Sequence, residues 1–458
     1  MSKRLVAIIA GVVALAVGLV VVLVGNPLDP RNQSDYLSKA VMYEVNVRQF
    51  SEEGTFNAFA EDLPRLQELG VDILWFMPIH PISELNRKGT LGSYYAVADY
   101  KTVNPEFGTE EDFKALVSKA QSMGFMVILD WVANHTGWDN AWVTENPSWY
   151  TKGSDGKITH PPGTDWTDVA DLDYSNYDMR AAMMDAMMHW VTEYNVDGFR
   201  ADVAGEVPTS FWEEAREKLE QRKKLFMLAE DGSNFLLLEK AFDANYGWNL
   251  LGLMNSLARG SSDAGSFRRN LKSQLIEYRP GGFPMNFITN HDENSWNGTE
   301  YERMGSAVNA MSALYFTVPG MPLIYNGQEV GFDRRLEFFE KDQIDWKESE
   351  MTALYQRLIE LKTENESLWN GRAGGDLDFY LTDNDDVIAF LRQKGSSVVV
   401  TLVNVSDSKQ TVTVDFGSLT SKTYRFSDGQ SVELTGTMEF ELSAWGFEIF
   451  STQPVDPR

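Results

Sequence analysis

The chain of 458 residues contains no cysteine. Disulfide bridges, zinc–thiolate sites and thiol nucleophiles are therefore excluded. The absence leaves the compartment open, because proteins without cysteine occur on both sides of a membrane. Any catalysis by this chain has to use oxygen or nitrogen side chains, or a metal that these side chains hold.

Positive charge is also scarce: 40 Lys and Arg face 67 Asp and Glu, for a net charge of −27. A surface this acidic repels phosphate backbones, so nucleic acid is excluded as an expected partner. It disfavours an anionic lipid surface for the same reason. A neutral substrate is compatible with this charge. Taken by itself, the negative charge indicates a role in solubility.

Long apolar runs are absent except for one at the N-terminus, Leu5–Val24, which follows Lys3 and Arg4. Twenty apolar residues match the length of a transmembrane helix, and the run ends without a small-x-small cleavage site. We expect residues 1–25 to be an uncleaved N-terminal membrane anchor, followed by a polar linker over 26–39. The positive flank places the rest of the chain outside the cytoplasm, periplasmic or extracellular. Cleavage of the segment would make the protein secreted.

Residues 40–365 alternate between short apolar runs and segments of helical periodicity. Predicted strands are Val41–Val47, Val71–Met77, Phe125–Asp130, Val196–Asp202, Leu225–Glu230, Phe283–Thr289 and Pro322–Tyr325. Predicted helices include Phe56–Leu69, Glu110–Met123, Met179–Tyr194, Phe211–Gln221 and Arg303–Phe316. This alternation predicts an α/β fold with parallel strands, a (β/α)8 TIM barrel. A doubly wound open sheet is the alternative, disfavoured because no Gly-x-Gly-x-x-Gly follows the first strand.

Two segments depart from this alternation. Residues 136–177, after the third strand, are rich in Trp, Asp, Pro and Gly, and they predict a small inserted subdomain B. Residues 366–452 show short alternating strands separated by turns, which predict a C-terminal all-β sandwich domain.

Four of the apolar runs end in, or just before, an acid: Asp130, Asp202, Glu230 and Asp292. A single acid at a strand end is usually a helix cap or a solvated loop residue. In a barrel of parallel strands, however, all C-terminal strand ends face one mouth, where active sites lie. Four such acids, with Arg200 and two histidines nearby, therefore favour a shared catalytic site.

The segments around these acids resemble the α-amylase superfamily of glycoside hydrolases (glycoside hydrolase family 13). The resemblance rests on Asp130-Trp-Val-Ala-Asn134-His135, Gly198-Phe-Arg200-Ala-Asp202, Glu230 after its apolar strand, and Asn290-His291-Asp292, all in the order of the family. Flanking matches are Tyr43-Glu-Val-Asn-Val-Arg48, Tyr95-x-x-x-Asp99-Tyr100 and Asn104-Pro-Glu-Phe-Gly-Thr109. An ordered set of this kind is highly specific. It covers residues 40–450.

The resemblance implies that Asp202 is the nucleophile and Glu230 the general acid and base. For retention of configuration their carboxyl groups should lie roughly 5–5.5 Å apart. Arg200, two residues before Asp202 and on the same face of its strand, is expected to keep the nucleophile ionised. Glu230 needs the opposite bias, a raised pKa from apolar surroundings.

By the same resemblance, Asp292 binds sugar hydroxyls and strains the ring at the cleavage point. His135 and His291 are expected to donate to hydroxyls, and Tyr95 to stack under the reacting sugar. Asp130 is expected to organise the mouth through hydrogen bonds without transferring a proton.

Calcium is the one cofactor that the resemblance suggests. Asn134 matches a calcium ligand position of the family, while Glu206 replaces a histidine that lies four residues after the nucleophile. Asp165 and Asp168 could add oxygen ligands, the type that calcium prefers. No organic cofactor is expected.

The expected function is hydrolysis of α-1,4-glucosidic bonds in starch-like glucans or maltooligosaccharides. An α-glucosidase or transglycosylase of the same family is an alternative, which the products formed from maltoheptaose would distinguish. Membrane-anchored barrels that act as non-catalytic transporter subunits, and sugar-binding proteins without turnover, are further alternatives. Such transporter subunits often lack some of the three carboxylates, all of which are present here.

Overall fold

The computed structural model describes residues 34–278, 282–419 and 421–456. The predicted anchor, residues 1–25, lies outside these ranges. The last six residues of the predicted linker, Ser34–Lys39, form a short helix, α1. Tyr36 ties this helix to the barrel because its hydroxyl donates to the carbonyls of Asp72 and Gly124. Within the described ranges, no helix has the length and apolar character needed to cross a bilayer.

Eight parallel strands close into a barrel, as predicted, in the order β1-β10-β9-β8-β7-β6-β3-β2. They are β1 Met42–Val45, β2 Ile73–Phe76, β3 Met126–Trp131, β6 Gly198–Ala201, β7 Phe226–Ala229, β8 Ala244–Tyr246, β9 Phe283–Asn286 and β10 Met321–Tyr325. Every residue of these strands is buried, which explains their near-continuous apolar runs. In the β3–β6 ladder Asp130 pairs with Arg200, so the register places these two charges side by side.

Helices cover the outside of the barrel. After α1 the α-helices are α2 Val47–Phe50, α3 Phe56–Glu61, α4 Leu63–Leu69, α5 Glu110–Ser122, α6 Ala141–Glu145, α7 Tyr177–Glu193, α8 Thr209–Leu219, α9 Leu237–Lys240, α10 Trp248–Ala258, α11 Ala264–Glu277, α12 Glu300–Met304, α13 Val308–Thr317 and α14 Glu350–Glu364. Of these, α6 lies in the segment inserted between β3 and α7. Their starts follow local capping chemistry. At α5, for example, Thr109 and Asp112 form a reciprocal capping box.

The segment between β3 and α7 forms a small excursion at the mouth of the barrel. Its two strands, β4 His135–Gly137 and β5 Val169–Asp171, pair antiparallel. Trp142 and Trp149 lie between β4 and β5 in the sequence. Their rings pack edge to face with the centroids 5.1 Å apart. This arrangement places the tryptophan-rich part of the chain beside the C-terminal ends of the barrel strands.

The C-terminal part is all β. A six-stranded sheet has the order β11-β12-β13-β18-β15-β16, and β14 pairs with β17. The strands are β11 Asp376–Phe379, β12 Val387–Lys394, β13 Ser397–Asn404, β14 Gln410–Asp415, β15 Ser421–Arg425, β16 Ser431–Leu434, β17 Thr437–Leu442 and β18 Phe447–Ser451. Residues of both sheets share one apolar cluster, which includes Val400, Val412 and Leu442. The buried Arg392 joins this domain to the barrel through the carbonyl of Thr317, 3.0 Å away.

Candidate active site

A single guanidinium lies at the centre of the barrel mouth. Arg200, on β6, is fully buried, and its Nη1 contacts Asp130 at 2.9 Å and Asp202 at 3.1 Å. Its Nη2 lies 2.8 Å from Glu230, and its Nε donates to the hydroxyl of Tyr246 at 2.9 Å. One cation therefore holds three carboxylates that come from three different strands or strand ends. The planar, permanently charged guanidinium is suited to such a multidentate role.

The backbone after β6 adds a further contact to this group. Val203, directly after Asp202, adopts φ 36° and ψ 50°, a left-handed conformation that is unfavourable for a β-branched residue. This turn directs the N–H of Val203 to Glu230, to whose Oε2 it donates at 2.7 Å. Glu230 is thus fixed by Arg200 at one oxygen and by a main-chain donor at the other. Backbone strain of this kind is typical of functional sites.

Burial and charge oppose each other at the two central carboxyl groups. Burial raises the pKa of Asp202 to about 6, against the lowering effect of Arg200. Burial likewise raises the pKa of Glu230 to about 7, with Arg200 again opposing and Asp202 and Asp292 adding to the rise. The sequence predicted the influence of Arg200 on Asp202, but not that desolvation would outweigh it. The order of the two pKa values leaves Asp202 the more acidic group.

A second chain of contacts runs beside the first. His291 lies with Nδ1 2.5 Å from Glu44, and with Nε2 2.8 Å from the Tyr95 hydroxyl and 3.3 Å from Asp292. The Tyr95 hydroxyl donates in turn to Asp130 at 3.0 Å. Burial alone would lower the pKa of His291, but the charges of Asp292 and Glu44 raise it well above its usual range. A doubly protonated His291 fits this pattern, because one N–H faces Glu44 and the other faces Tyr95.

The positive charge of His291 in turn affects the pKa of Asp292. Burial would raise the pKa of Asp292, but the neighbouring His291 cation outweighs that effect and lowers it. His135 behaves differently: burial without a carboxylate partner lowers its pKa to about 4. The site therefore contains both an ionised Asp292 and a neutral His135.

These groups open onto one cavity of about 650 Å³ at the barrel mouth. Its lining includes the predicted residues Asp202, Glu230, Asp292, Tyr95, His135 and His291, together with Lys88, Ser93, Asp165, Trp166, Asp168, Val169, Val203, Trp296, Phe338 and Phe339. Arg200 lies beneath the cavity, with no exposed side-chain surface. All the predicted catalytic and sugar-binding residues therefore converge, while their individual roles stay predictions.

The predicted calcium ligands do not all converge. Asn134 and Glu206 line a separate cavity together with Asp171 and Asp173. Asp165 and Asp168 instead line the central cavity. Over residues 34–278, 282–419 and 421–456, no three histidine or acidic side chains are grouped closely enough to hold a metal. Calcium at Asn134 stays a prediction.

Several residues of the site were not identified from the sequence. Glu44 is an acid within the buried, otherwise apolar strand β1, and an acid in such a strand is the sequence signal for a polar site. Tyr246 ends the short strand β8, Trp296 lies in the short π-helical turn Glu293–Asn297, and Phe338 lies in a loop, all without a recognisable sequence pattern. Trp296 remains half exposed at the edge of the cavity, where its ring packs 5.2 Å from that of Phe338.

The chain is similar in sequence and in fold to known α-amylases. An α-amylase of Haloarcula japonica is 27% identical over 428 residues, which is 87% of this chain and 61% of that protein. The crystal structure of an α-amylase from Lactobacillus plantarum has a TM-score of 0.81 at 30% identity, covering 91% of this chain and 100% of the other. That of a noncanonic maltogenic α-amylase from Thermotoga neapolitana has a TM-score of 0.82 at 29% identity, covering 91% and 99%.

The family described as alpha amylase, catalytic domain, matches residues 34–166 and 164–367. The matched ranges include the whole closed barrel and the inserted segment, and they end before the C-terminal sheets. The chain therefore belongs to the α-amylase family of glycoside hydrolases.

Proposed function

We propose that this protein is a retaining glycosidase that cleaves α-1,4-glucosidic bonds of starch-like glucans or maltooligosaccharides through a covalent glycosyl ester on Asp202. The observation that carries the proposal is the arrangement of Asp202 and Glu230. Both carboxyl groups contact the guanidinium of Arg200, at 3.1 and 2.8 Å, and both face the same cavity. Two carboxyl groups beside one open site are the requirement for glycoside hydrolysis, and their contact with one shared guanidinium favours the close spacing that retention needs.

In the first step, a carboxylate oxygen of Asp202 attacks the anomeric carbon while the glycosidic carbon–oxygen bond breaks. Glu230 gives its proton to the departing oxygen, and the shortened glucan leaves as an alcohol. In the second step, Glu230, now a carboxylate, removes a proton from water. The hydroxide so formed attacks the anomeric carbon and releases Asp202. The contacts from Arg200 and the Val203 N–H fix both carboxyl groups for this exchange of roles.

The neighbouring residues are suited to hold the reacting sugar. The ionised Asp292 can accept hydrogen bonds from hydroxyl groups, and the neutral His135 can donate one. Tyr95 offers a flat ring, which is stacked near His291 with the centroids 5.5 Å apart. Aromatic faces and a few fixed polar groups are the usual means of orienting a ligand.

Incubation with maltoheptaose, followed by NMR of the first products, tests the proposal. We expect new reducing ends in the α configuration, because two inversions at one carbon give net retention. Initial β products would contradict the covalent intermediate, and longer oligosaccharides would identify transglycosylation. The absence of any cleavage of maltoheptaose and soluble starch would refute glycosidase activity.

The pH dependence of kcat/KM should be bell-shaped, with its optimum between the pKa of Asp202, about 6, and that of Glu230, about 7. Below the first value the nucleophile gains a proton, and above the second the acid has lost its own. Because the two groups interact, the limbs report the pair. With α-maltosyl fluoride, whose leaving group needs no proton, the single-turnover rate of fluoride release by Glu230→Gln should show the acidic limb and no alkaline limb. An unchanged alkaline limb in this variant would assign that limb to another group.

A further inference from the structure

Residues 84–92, here called the strap, follow β2 and link the inserted segment to the loop after β10, and Lys88 of the strap lines the cavity. One end is tied to the inserted segment: the Lys88 ammonium donates to the Asp165 carbonyl at 3.0 Å and lies 3.3 Å from the Asp168 carboxylate. Asp168 is buried with 5% of its surface exposed, whereas Lys88 is one-third exposed. A buried carboxylate is costly without a counter-charge, so this ion pair holds the strap against the inserted segment.

The other end of the strap is tied to the loop after β10. The N–H of Thr90 donates to Glu340 at 2.9 Å, and the N–H of Leu91 donates to the Phe339 carbonyl at 3.0 Å. Gly89 adopts φ 65° there, and a Cβ at this position would lie 2.4 Å from that of Phe339. A glycine is required both for the backbone conformation and for the close approach.

The position of the strap relative to Glu230 follows from the strand order. The strap follows β2 and the Phe339 anchor follows β10, the two strands that flank β1 in the closed barrel, while the anchor in the inserted segment follows β3, the strand next to β2. Glu230 follows β7, on the opposite side of the ring. Lys88, Asp168 and Phe339 all line the cavity, so the strap and its anchors form part of the cavity wall on the side of β1 and β2, away from β7.

We infer that the strap closes the glycone end of the cavity and restricts cleavage to positions near the non-reducing end of a glucan. The inference rests on the proposed function, in which Glu230 protonates the leaving oxygen. The departing chain, which carries the reducing end, then lies on the Glu230 side, and the other part of the substrate lies against the wall. A cavity of about 650 Å³ with one closed end holds a short terminal segment, and a long chain cannot run through it.

The test compares two substrates that differ only at the non-reducing end: 4-nitrophenyl α-maltoheptaoside and its 4,6-O-ethylidene derivative. An open groove binds interior segments and tolerates the blocked end, whereas a closed end excludes it. We expect wild-type protein to cleave the free-ended substrate at least about tenfold faster, a difference of about 1.4 kcal/mol. Equal rates would overturn the inference while leaving the proposed function intact.

Binding separates the two hypotheses if neither substrate is cleaved. That result would refute the glycosidase proposal, and titration of Glu230→Gln by tryptophan fluorescence would still test the strap. The cavity contains Trp166 and Trp296 as reporters. We expect tighter binding of the free-ended compound by about tenfold. Equal affinities would overturn the closure.

Two variants assign the effect to the strap. Lys88→Met removes the tie, and Lys88→Met/Asp168→Asn removes it without leaving a buried unpaired carboxylate. Both should gain cleavage of the blocked substrate and release longer products. Lys157→Met, which alters an 84% exposed lysine in the same inserted segment, is the matched control and should behave as wild type. Wild-type discrimination in a correctly folded double variant would refute the role of the strap.

Discussion

Replacement of Asp202 by asparagine should reduce kcat/KM on maltoheptaose by roughly 10⁴-fold or more, because no other side chain replaces the nucleophile. The variant keeps the shape of the residue, whose side chain is 10% exposed and packed against Arg200 at 3.1 Å. Its circular dichroism and Tm should therefore stay close to wild type. Asp185→Asn is a suitable control, since that acid forms an exposed ion pair with Lys101, and its activity should change little.

The covalent intermediate provides a second measurement of the same role. Glu230→Gln should react with α-maltosyl fluoride and then stall, because the general base for hydrolysis of the ester is missing. Intact mass spectrometry should show one added maltosyl group, and peptide mapping should place it on Asp202. A label on another acid, or full activity of Asp202→Asn, would refute the assignment.

Seven of the eight barrel strands were predictable because each carries an apolar run that is buried on both faces. The exception is β8, Ala244–Tyr246, which has only three residues, with the polar Asn245 in the middle. It is a strand because the neighbouring β7 and β9 leave a gap that only a strand can fill with hydrogen bonds. Local periodicity cannot show that requirement, so Tyr246 and its contact with Arg200 were missed as well.

The predicted helix Phe56–Leu69 is in fact two helices, α3 and α4, which meet at Asp62. The apolar spacing continues across the break because both pieces pack on the barrel. Pro64 lies in the first turn of the second helix, where the N–H that it lacks is not needed, whereas a continuous helix would need that N–H. Periodicity predicted the buried face correctly, but it did not locate the break.

In the candidate site, too, some features could be predicted from the sequence and others could not. Parallel strands bring their C-terminal ends to one mouth, so the acids at those ends could be expected to meet. The contact between Glu44 and His291 joins residues 247 positions apart and depends on closure of the barrel. The net pKa direction of Asp202 could not be predicted either, because burial of a carboxyl group depends on all the elements around it.

Arg200→Met should be the most destabilising single change at the site. It leaves Asp130, Asp202 and Glu230 without the cation that all three contact, and breaking a buried ion pair of this kind costs about 3–5 kcal/mol. Activity should be lost together with stability, since the pKa of Asp202 would rise further and the nucleophile would be protonated near neutral pH. Arg200→Lys should recover part of the stability but little activity, because an ammonium cannot contact three carboxylates in one plane.

The pH dependence of the loss distinguishes this electrostatic effect from a packing defect. Carboxyl groups with raised folded-state pKa values oppose folding once pH rises above their unfolded values, near 4 for Asp and Glu. The difference in Tm between Arg200→Met and wild type should therefore be largest at pH 8 and should narrow towards pH 4. Arg180→Met removes a buried guanidinium whose carboxylate partner, Glu214, is half exposed, so it should show a small deficit that does not depend on pH. A deficit in Arg200→Met that is equally independent of pH would mean that the guanidinium acts by filling space, and the three carboxylates would then need another source of stabilisation.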